Sequence, residues 1–382
     1  MAATTTDVRH TVARVDLDAL ARNVIAIRGL LDDGALASGR PSPRIVGVVK
    51  ANAYGHGAVA VALALERAGV AMLACADVDE GVVLREGGVQ APILVFGALG
   101  VSDLDGIFTH RLTPTISSPW AGRALFDAAA ARETVLGCHV KIDTGMNRLG
   151  LRHDNLRRTL PPILASPALR VEALYTHFAT ADEPESEHFG LQQQHFAAAR
   201  EVAAELGLRT TEAHAANSAA LLRDERTWFD AVRPGLLLYG VVPPPLMTTL
   251  PLEPVLSLHS RIVAVKGIRD GEAVGYGQSF AAEGPRTVAV VPAGYADGLD
   301  WRLGNRGAVL VRGRRIPIVG RVSMDMITID VTGLDVSPGD EVVLLGRQGD
   351  ERIDVREVAA TIGTIPWELL CRLGARIERE YS

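Results

Sequence analysis

The sequence predicts an α/β protein: a TIM-type (β/α)8 barrel followed by a C-terminal domain that is mainly β. Three observations carry this. Between Ile45 and Gly240, short apolar runs alternate with amphipathic stretches, the pattern of repeated βα units around a parallel sheet. Eight such runs can be counted, the number that closes a barrel. Beyond Pro243-Pro244-Pro245 the texture changes to β-branched runs separated by turns such as Arg269-Asp270-Gly271 and Pro338-Gly339-Asp340. At 382 residues the chain exceeds the length at which one core stops growing. The expected division is an N-terminal tail over 1–11, the barrel over 12–245 and the β domain over 246–382.

Taken in order, Val12 to Leu17 reads as a strand pairing outside the barrel, and Asp18 to Leu30 as an amphipathic helix. The barrel strands are expected at Ile45–Val49, Ala71–Ala74, Ile93–Phe96, Leu112–Ile116, Cys138–Ile142, Val171–Tyr175, Thr211–His214 and Val232–Leu238. Continuous apolar runs of this length suit parallel strands covered on both faces. An alanine-rich helix is expected to start near Ala58. Active-site residues should then lie just after the strands, with phosphate near the loops following strands seven and eight.

Composition excludes several classes. A net charge of −6, with 22% charged residues and no long block of one sign, argues against electrostatic nucleic-acid binding. Met1 to Thr11 is polar and lacks the apolar core of a secretory signal, and charges such as Glu66 and Arg67 interrupt the apolar stretches. The expectation is a cytoplasmic protein that does not enter a membrane. Cys75, Cys138 and Cys371 are widely spaced, unsuited to zinc or to a disulfide framework, and read as small buried hydrophobes; no metal is expected.

Lys50 ends the apolar run Ile45–Val49 and opens the loop Lys50-Ala51-Asn52-Ala53-Tyr54-Gly55-His56-Gly57, whose glycines permit a tight turn. An amine at a strand mouth can condense with a carbonyl to form a Schiff base, and pyridoxal phosphate is the cofactor most often held this way. Arg148, in the loop after strand five, lies near the same mouth, where a guanidinium could grip a carboxylate. His177 follows strand six and by itself reads as a hydrogen-bonded, half-buried histidine. After strand seven, Asn217 or Ser218 caps a helix whose free amides suit a phosphate. Arg233-Pro234-Gly235-Leu236 supplies the adjoining corner, where Gly235 lets backbone approach closely.

The segment Val48 to Gly57 strongly resembles the cofactor-lysine motif of the alanine racemase family. Lys141 to Gly150 is similar to the family stretch whose arginine contacts the substrate carboxylate. Gly275-Tyr276-Gly277-Gln278-Ser279-Phe280, Pro292 to Gly298 and Gly320 to Asp325 look like its C-terminal signatures, and the likeness runs from about Val12 to Tyr381. It implies pyridoxal 5'-phosphate as cofactor and interconversion of L- and D-alanine, supplying D-alanine for peptidoglycan. Inverting a stereocentre by proton exchange needs a base on each face. The resemblance makes these Lys50 and Tyr276, acting for the D and L enantiomer respectively. It assigns cofactor contacts to Tyr54, His177, Asn217, Ser218, Arg233, Gly235, Leu236 and Trp367. His177 would link Arg233 to the catalytic tyrosine, and Arg233 would face the pyridine nitrogen. Arg148 and the Met324 backbone would hold the substrate carboxylate, with Lys141 carboxylated and steadying Arg148. Tyr295, Asp182 and Arg321 would line the access channel. In the family the C-terminal groups come from a second subunit, which implies a homodimer with shared sites.

Three places depart from the family pattern. Trp367 stands where a phosphate-touching tyrosine is usual, Arg376-Ile377-Glu378-Arg379 replaces Arg-Val-Pro-Arg, and Leu299-Asp300-Trp301 replaces Tyr-Pro-Arg. These bear on substrate range and cofactor affinity, so a serine or broader racemase stays open beside alanine. A pyridoxal-phosphate barrel without racemase activity would not need a domain bearing Tyr276. A related decarboxylase would need a cysteine motif that the β domain lacks.

Overall fold

Eight parallel strands close on themselves in the computed structural model, which describes residues 11–97, 104–208 and 212–382. The chain divides into two compact units. One comprises Leu20–Ala53 and Ala58–Glu253; the other comprises the described residues up to Ala19 together with Tyr54–Gly57 and Pro254–Ser382. Residues 1–10 of the expected tail, and Thr211 of the seventh expected strand, lie outside the described residues.

The first unit is the barrel. Its strands are β1 (Arg44–Val48), β2 (Met72–Cys75), β3 (Ile93–Val95), β4 (Thr113–Ile116), β5 (Leu136–Asp143), β6 (Leu169–Tyr175), β7 (Glu212–His214) and β8 (Ala231–Val232). Each pairs in parallel with the next, and β8 closes the ring on β1 through Ala231 opposite Arg44 and Val232 opposite Ile45. Val46, Ala74, Leu94 and Ala231 pack together as buried core. Each large aliphatic side chain fully buried in this way contributes roughly 1.5–3 kcal/mol.

The eighth strand is shorter than its apolar run. Val232–Leu238 reads as a strand, but pairing stops at Val232 because Pro234 has no N–H to donate. The chain then coils through turns in which Leu238, Tyr239 and Gly240 donate to the carbonyls of Gly235, Leu236 and Leu237. The first helix is longer than expected, running from Leu17 to Ser38 rather than to Leu30. Its buried stripe Leu20, Val24, Ile27, Leu31, Ala35 continues at helical spacing past Leu30, so nothing stops it there. Asp16 starts it, accepting the Ala19 N–H at 2.7 Å.

The second unit is mainly β. Its largest sheet has the order Arg314–Pro317, Ala308–Val311, Glu341–Gln348, Leu256–Arg261, Val12–Val15, Glu378–Tyr381. Val12–Val15 therefore pairs outside the barrel, antiparallel to Leu256–Arg261 and parallel to Glu378–Tyr381. Glu351–Ile353 pairs with Glu341–Gln348 off this path, and a three-stranded sheet of Ala264–Ile268, Arg286–Val291 and Ile327–Asp330 and a short hairpin are the other strands. Helices Val355–Ile362 and Pro366–Cys371 follow. All three cysteines are thiols; Cys75 and Cys138 are buried, but Cys371, expected in the core, is exposed near the end of the last helix. Among the described residues no helix is long and apolar enough to cross a membrane.

Candidate functional site

Lys50 stands beyond β1 with only Val49 between, and the backbone after it turns in an unusual sense. Ala51, Asn52, Ala53 and Tyr54 all have φ of 52–53°, a left-handed turn built from four consecutive non-glycine residues. Only then come Gly55 and Gly57, with φ of 80° and 101°. The left-handed conformation disfavours an L side chain by about 1–2 kcal/mol per residue, so surrounding bonds must impose it. They do. The Ala53 N–H donates to the Val49 carbonyl at 2.8 Å, and Asn52 Oδ1 accepts the Ala58 N–H at 2.8 Å. Glu80 accepts the Ala51 N–H through one oxygen at 2.6 Å and the Ala76 N–H through the other at 2.7 Å, tying the lysine loop to the exit of β2. Sequence reasoning missed Glu80; only the two strand exits, brought side by side, reveal its role.

Four cations gather at the carboxyl ends of the barrel strands. Lys141 on β5 is buried, and its ammonium is lowered to about 8 by burial and by the charges of Arg148 and Arg233, with Asp143 opposing and Lys50 adding a small push. His177, just after β6, is held neutral well below the usual histidine range by burial and then by Arg233, Lys141, Lys50 and Arg148. Lys50, Lys141, Arg148 and Arg233 thus share one electrostatic neighbourhood around His177. Arg148 lines an open pocket with Ser117, Asp143 and Asn147.

Arg233 is the buried anchor of this group. Its guanidinium donates to His214 Nδ1 at 2.8 Å and to the carbonyls of Thr176 and Ala215 at 2.7 and 2.9 Å. Burial lowers it to about 10, which leaves it cationic at neutral pH. Because Nδ1 of His214 accepts, its Nε2 carries the proton and donates to His139 Nδ1 at 3.0 Å. Both imidazoles are kept neutral, His139 at about 4, by burial and the Arg233 charge. Tyr175 stacks on His214 with 4.8 Å between ring centroids and contacts Thr115 Oγ1 at 3.0 Å, its phenol raised to about 12 by burial. Tyr175, His214 and His139 were not singled out from sequence. Tyr175 and His214 each close their barrel strand at the carboxyl end, the position where active-site groups of this fold stand, and His139 lies mid-strand on β5.

At the β7 and β8 corner, the helix cap left open between two residues is Asn217, whose Oδ1 accepts the Ala220 N–H at 2.9 Å. Ser218 does something else. Its Oγ accepts the Gly235 N–H at 2.9 Å and the Leu237 N–H at 3.3 Å, joining the two corners. Asp182 lies in the loop after β6, where the Arg223 guanidinium donates to the carbonyls of Thr180, Ala181, Glu183 and Pro184.

The remaining residues of interest belong to the β unit. Tyr276 follows Gly275 and is 73% exposed. Gly277 abuts the Arg321 guanidinium, which in turn lies over the Trp301 indole at 5.4 Å. Tyr295 and Ala296 donate their N–H groups to the carbonyls of Ser323 and Met324, so these two loops are one surface. Arg376 fastens it by pairing with Asp297 and Asp325, each at 2.9 Å. Arg379 holds the carbonyls of Gly55, Leu373, Gly374 and Ile377. Both arginines of the departing Arg376–Arg379 segment are therefore engaged. Asp300 is also structural: it is buried, pairs with Arg302 and Arg372, and its carboxyl is held well below the usual range by the hydrogen bonds from Arg302. Tyr54 is buried, and Trp367 is half-buried in the helix Pro366–Cys371.

Comparison with known proteins agrees with this architecture. Residues 15–243 match the model of the alanine racemase N-terminal domain, and residues 255–381 that of the C-terminal domain. The alanine racemase of Symbiobacterium thermophilum is 38% identical over 376 residues, covering 98% of this chain and 97% of that protein. The crystal structure of alanine racemase from Streptomyces lavendulae superimposes with a TM-score of 0.92 at 32% identity, covering 98% and 97% of the two chains. The Bartonella henselae enzyme, solved with covalently bound pyridoxal phosphate, gives 0.86 at 28% identity, covering 98% and 99%. A closed parallel barrel joined to a β unit, with matches of this extent, defines an isomerase of the racemase class. The chain belongs to the alanine racemase family.

Proposed function

We propose that the protein interconverts L- and D-alanine with pyridoxal phosphate as cofactor, and that Lys50 and Tyr276 are its two bases. The observation that carries the reading is the gathering of Lys50, Lys141, Arg148 and Arg233 around His177 at the barrel mouth, a field suited to a phosphate and a carboxylate together. The donor set fits the cofactor: Lys50 would hold its aldehyde carbon, Arg233 would face its ring nitrogen, and Asn217, Ser218, Gly235, Leu236 and Tyr54 would receive its phosphate beside Trp367. When bound, the cofactor supplies an electron sink that acidifies the α C–H of an amino acid.

The protein's own groups do the rest. Arg148, with the Met324 backbone, grips the substrate carboxylate and fixes which bond stands upright. The Lys50 amine takes or returns the proton on one face, and the Tyr276 phenol does so on the other. Arg233 stays cationic and would disfavour protonation of the cofactor's ring nitrogen, which would weaken the cofactor as an electron sink and limit side reactions. His177 connects Arg233 to the tyrosine side. Lys141, its ammonium lowered to about 8, yields more readily the neutral amine that attacks the carbon of carbon dioxide; the nitrogen gives up a proton to solvent, and the carbamate so formed would be an anion beside Arg148. Intact mass of the native protein without the added carboxylate, at full activity, excludes this modification.

A homodimer accounts for the exposed face. Tyr276, Tyr295, Trp301 and Met324 are 73%, 46%, 52% and 53% exposed, a concentration of apolar surface that a second copy would cover, with Tyr276 delivered to its partner's barrel. Tyr295, Asp182 and Arg321 line the access channel in this reading. The enzyme works in the cytoplasm and supplies D-alanine for peptidoglycan. The test is a chiral assay of purified protein against a panel of L-amino acids, with and without added pyridoxal phosphate, joined to borohydride reduction and peptide mapping. D-Alanine formation with the reduced adduct on Lys50 is expected. An adduct on another lysine, or racemisation of serine in preference to alanine, overturns the assignment.

A further inference from the structure

The helix His188–Glu205 buries a stripe of Phe189, Gln192, Phe196, Ala199 and Ala203, and one member of that stripe is polar. Gln192 is fully buried. Its Oε1 accepts the Ala179 N–H at 2.8 Å, and its Nε2 donates to Thr144 Oγ1 and to the His177 carbonyl, each at 3.1 Å. All of the amide's main hydrogen-bonding directions are thereby used, and they reach two different loops. Thr144 belongs to the loop after β5 that carries Arg148; His177 and Ala179 belong to the loop after β6.

The contacts continue inward. Thr144 Oγ1 shares a hydroxyl–hydroxyl hydrogen bond of 2.7 Å with Thr176 Oγ1, and the Thr176 carbonyl accepts from Arg233. The same helix edge adds His195 Nδ1 at 2.9 Å from the Thr144 carbonyl and His188 Nε2 at 3.3 Å from that of Gly145. Gly145, at φ 137°, lies so close to His188 that a side chain there would meet its ring at 2.9 Å. The Arg148 loop is thus pressed onto this helix and locked to it by Gln192.

We infer that Gln192 is a positioning residue for the carboxylate grip, setting the Arg148 loop against the His177 and Arg233 side of the barrel mouth; this rests on the reading of Arg148 given above. A glutamine that only stabilised the fold would change melting temperature without separating binding from turnover. Two variants test the distinction. Gln192→Glu keeps the volume and the acceptor for Ala179 but cannot donate to His177; Gln192→Met keeps the volume and loses every bond, so the Glu variant stands if the Met variant does not fold. For the holoenzyme we expect KM for alanine to rise at least about tenfold with kcat within about threefold. Amide exchange at Gly145 and Asn147, both held by Asp143 Oδ1 at 3.0 Å, should accelerate at least about tenfold. Unchanged KM with protected loop amides overturns the inference. Arg148→Lys separates the two claims: if it leaves KM unchanged the carboxylate reading fails, and the exchange rates alone then decide whether Gln192 positions the loop.

Discussion

Acid sensitivity built into the barrel interior is the most quantitative consequence of the structure. His139 is buried beneath His214, and burial together with the Arg233 and Arg44 charges moves it from the ordinary 6.5 to about 4. The unfolded chain therefore takes up a proton below about pH 6.5 that the folded chain refuses until about pH 4, so stability falls as pH falls through this window and is complete above it. At about pH 5 the difference amounts to roughly 2 kcal/mol for His139 alone. His214 and His177 shift in the same direction and add to the loss. His139→Gln removes the titration while its side-chain oxygen still accepts the His214 Nε2–H. Urea unfolding at fixed protein and cofactor concentration, compared near pH 7.5 and near pH 5, should show the native protein losing more stability than the variant by roughly 2 kcal/mol. An equal loss in the two proteins refutes the assignment of the proton to His139.

Four further outcomes are expected. Ala51→Gly, at an exposed left-handed position, should raise stability by up to about 1 kcal/mol in thermal unfolding; no gain would show that the turn is not strained. Glu80→Gln leaves one oxygen for two backbone N–H donors and should destabilise by about 1–3 kcal/mol, with slower turnover, whereas a silent substitution would remove Glu80 from the support of Lys50. Arg233→Glu should slow racemisation and increase conversion of the cofactor to pyridoxamine phosphate; an unchanged product partition discredits the part given to its cation. Trp367→Tyr restores a phenol and should slow cofactor loss, measured as the dissociation rate, and an unaltered rate counts against a phosphate contact there.

Much of the barrel was legible because most of its strands fall on short apolar runs between turn signals, as burial on both faces requires of parallel strands. The exceptions are physical. Val232–Leu238 is apolar throughout, yet Pro234 cannot donate to a ladder, so the run ends as turns. The left-handed turn after Lys50 could not be read because, of its four residues, only Asn52 has a local preference for that conformation; bonds from Val49, Ala58 and Glu80, the last nearly thirty residues on, hold it. Gln192 was hidden in Gln192-Gln193-Gln194, where only the facing of the helix tells one amide from the next. Asp300 looked like a deviation in a functional motif and proves to be a buried ion-pair hub, because its partners Arg302 and Arg372 are fixed only in the folded β unit.

The placement of Val12–Val15 bears on how the polypeptide is made. This strand lies between Leu256–Arg261 and Glu378–Tyr381, so both of its neighbours leave the ribosome roughly 240 residues or more after it does. Leu20 to Glu253 can assemble during synthesis, while the Val-Ala-Arg-Val strand waits for its first partner until Leu256–Arg261 emerges and for its second until Glu378–Tyr381 does. Removal of Glu378–Tyr381 would leave one side of Val12–Val15 open to foreign strands.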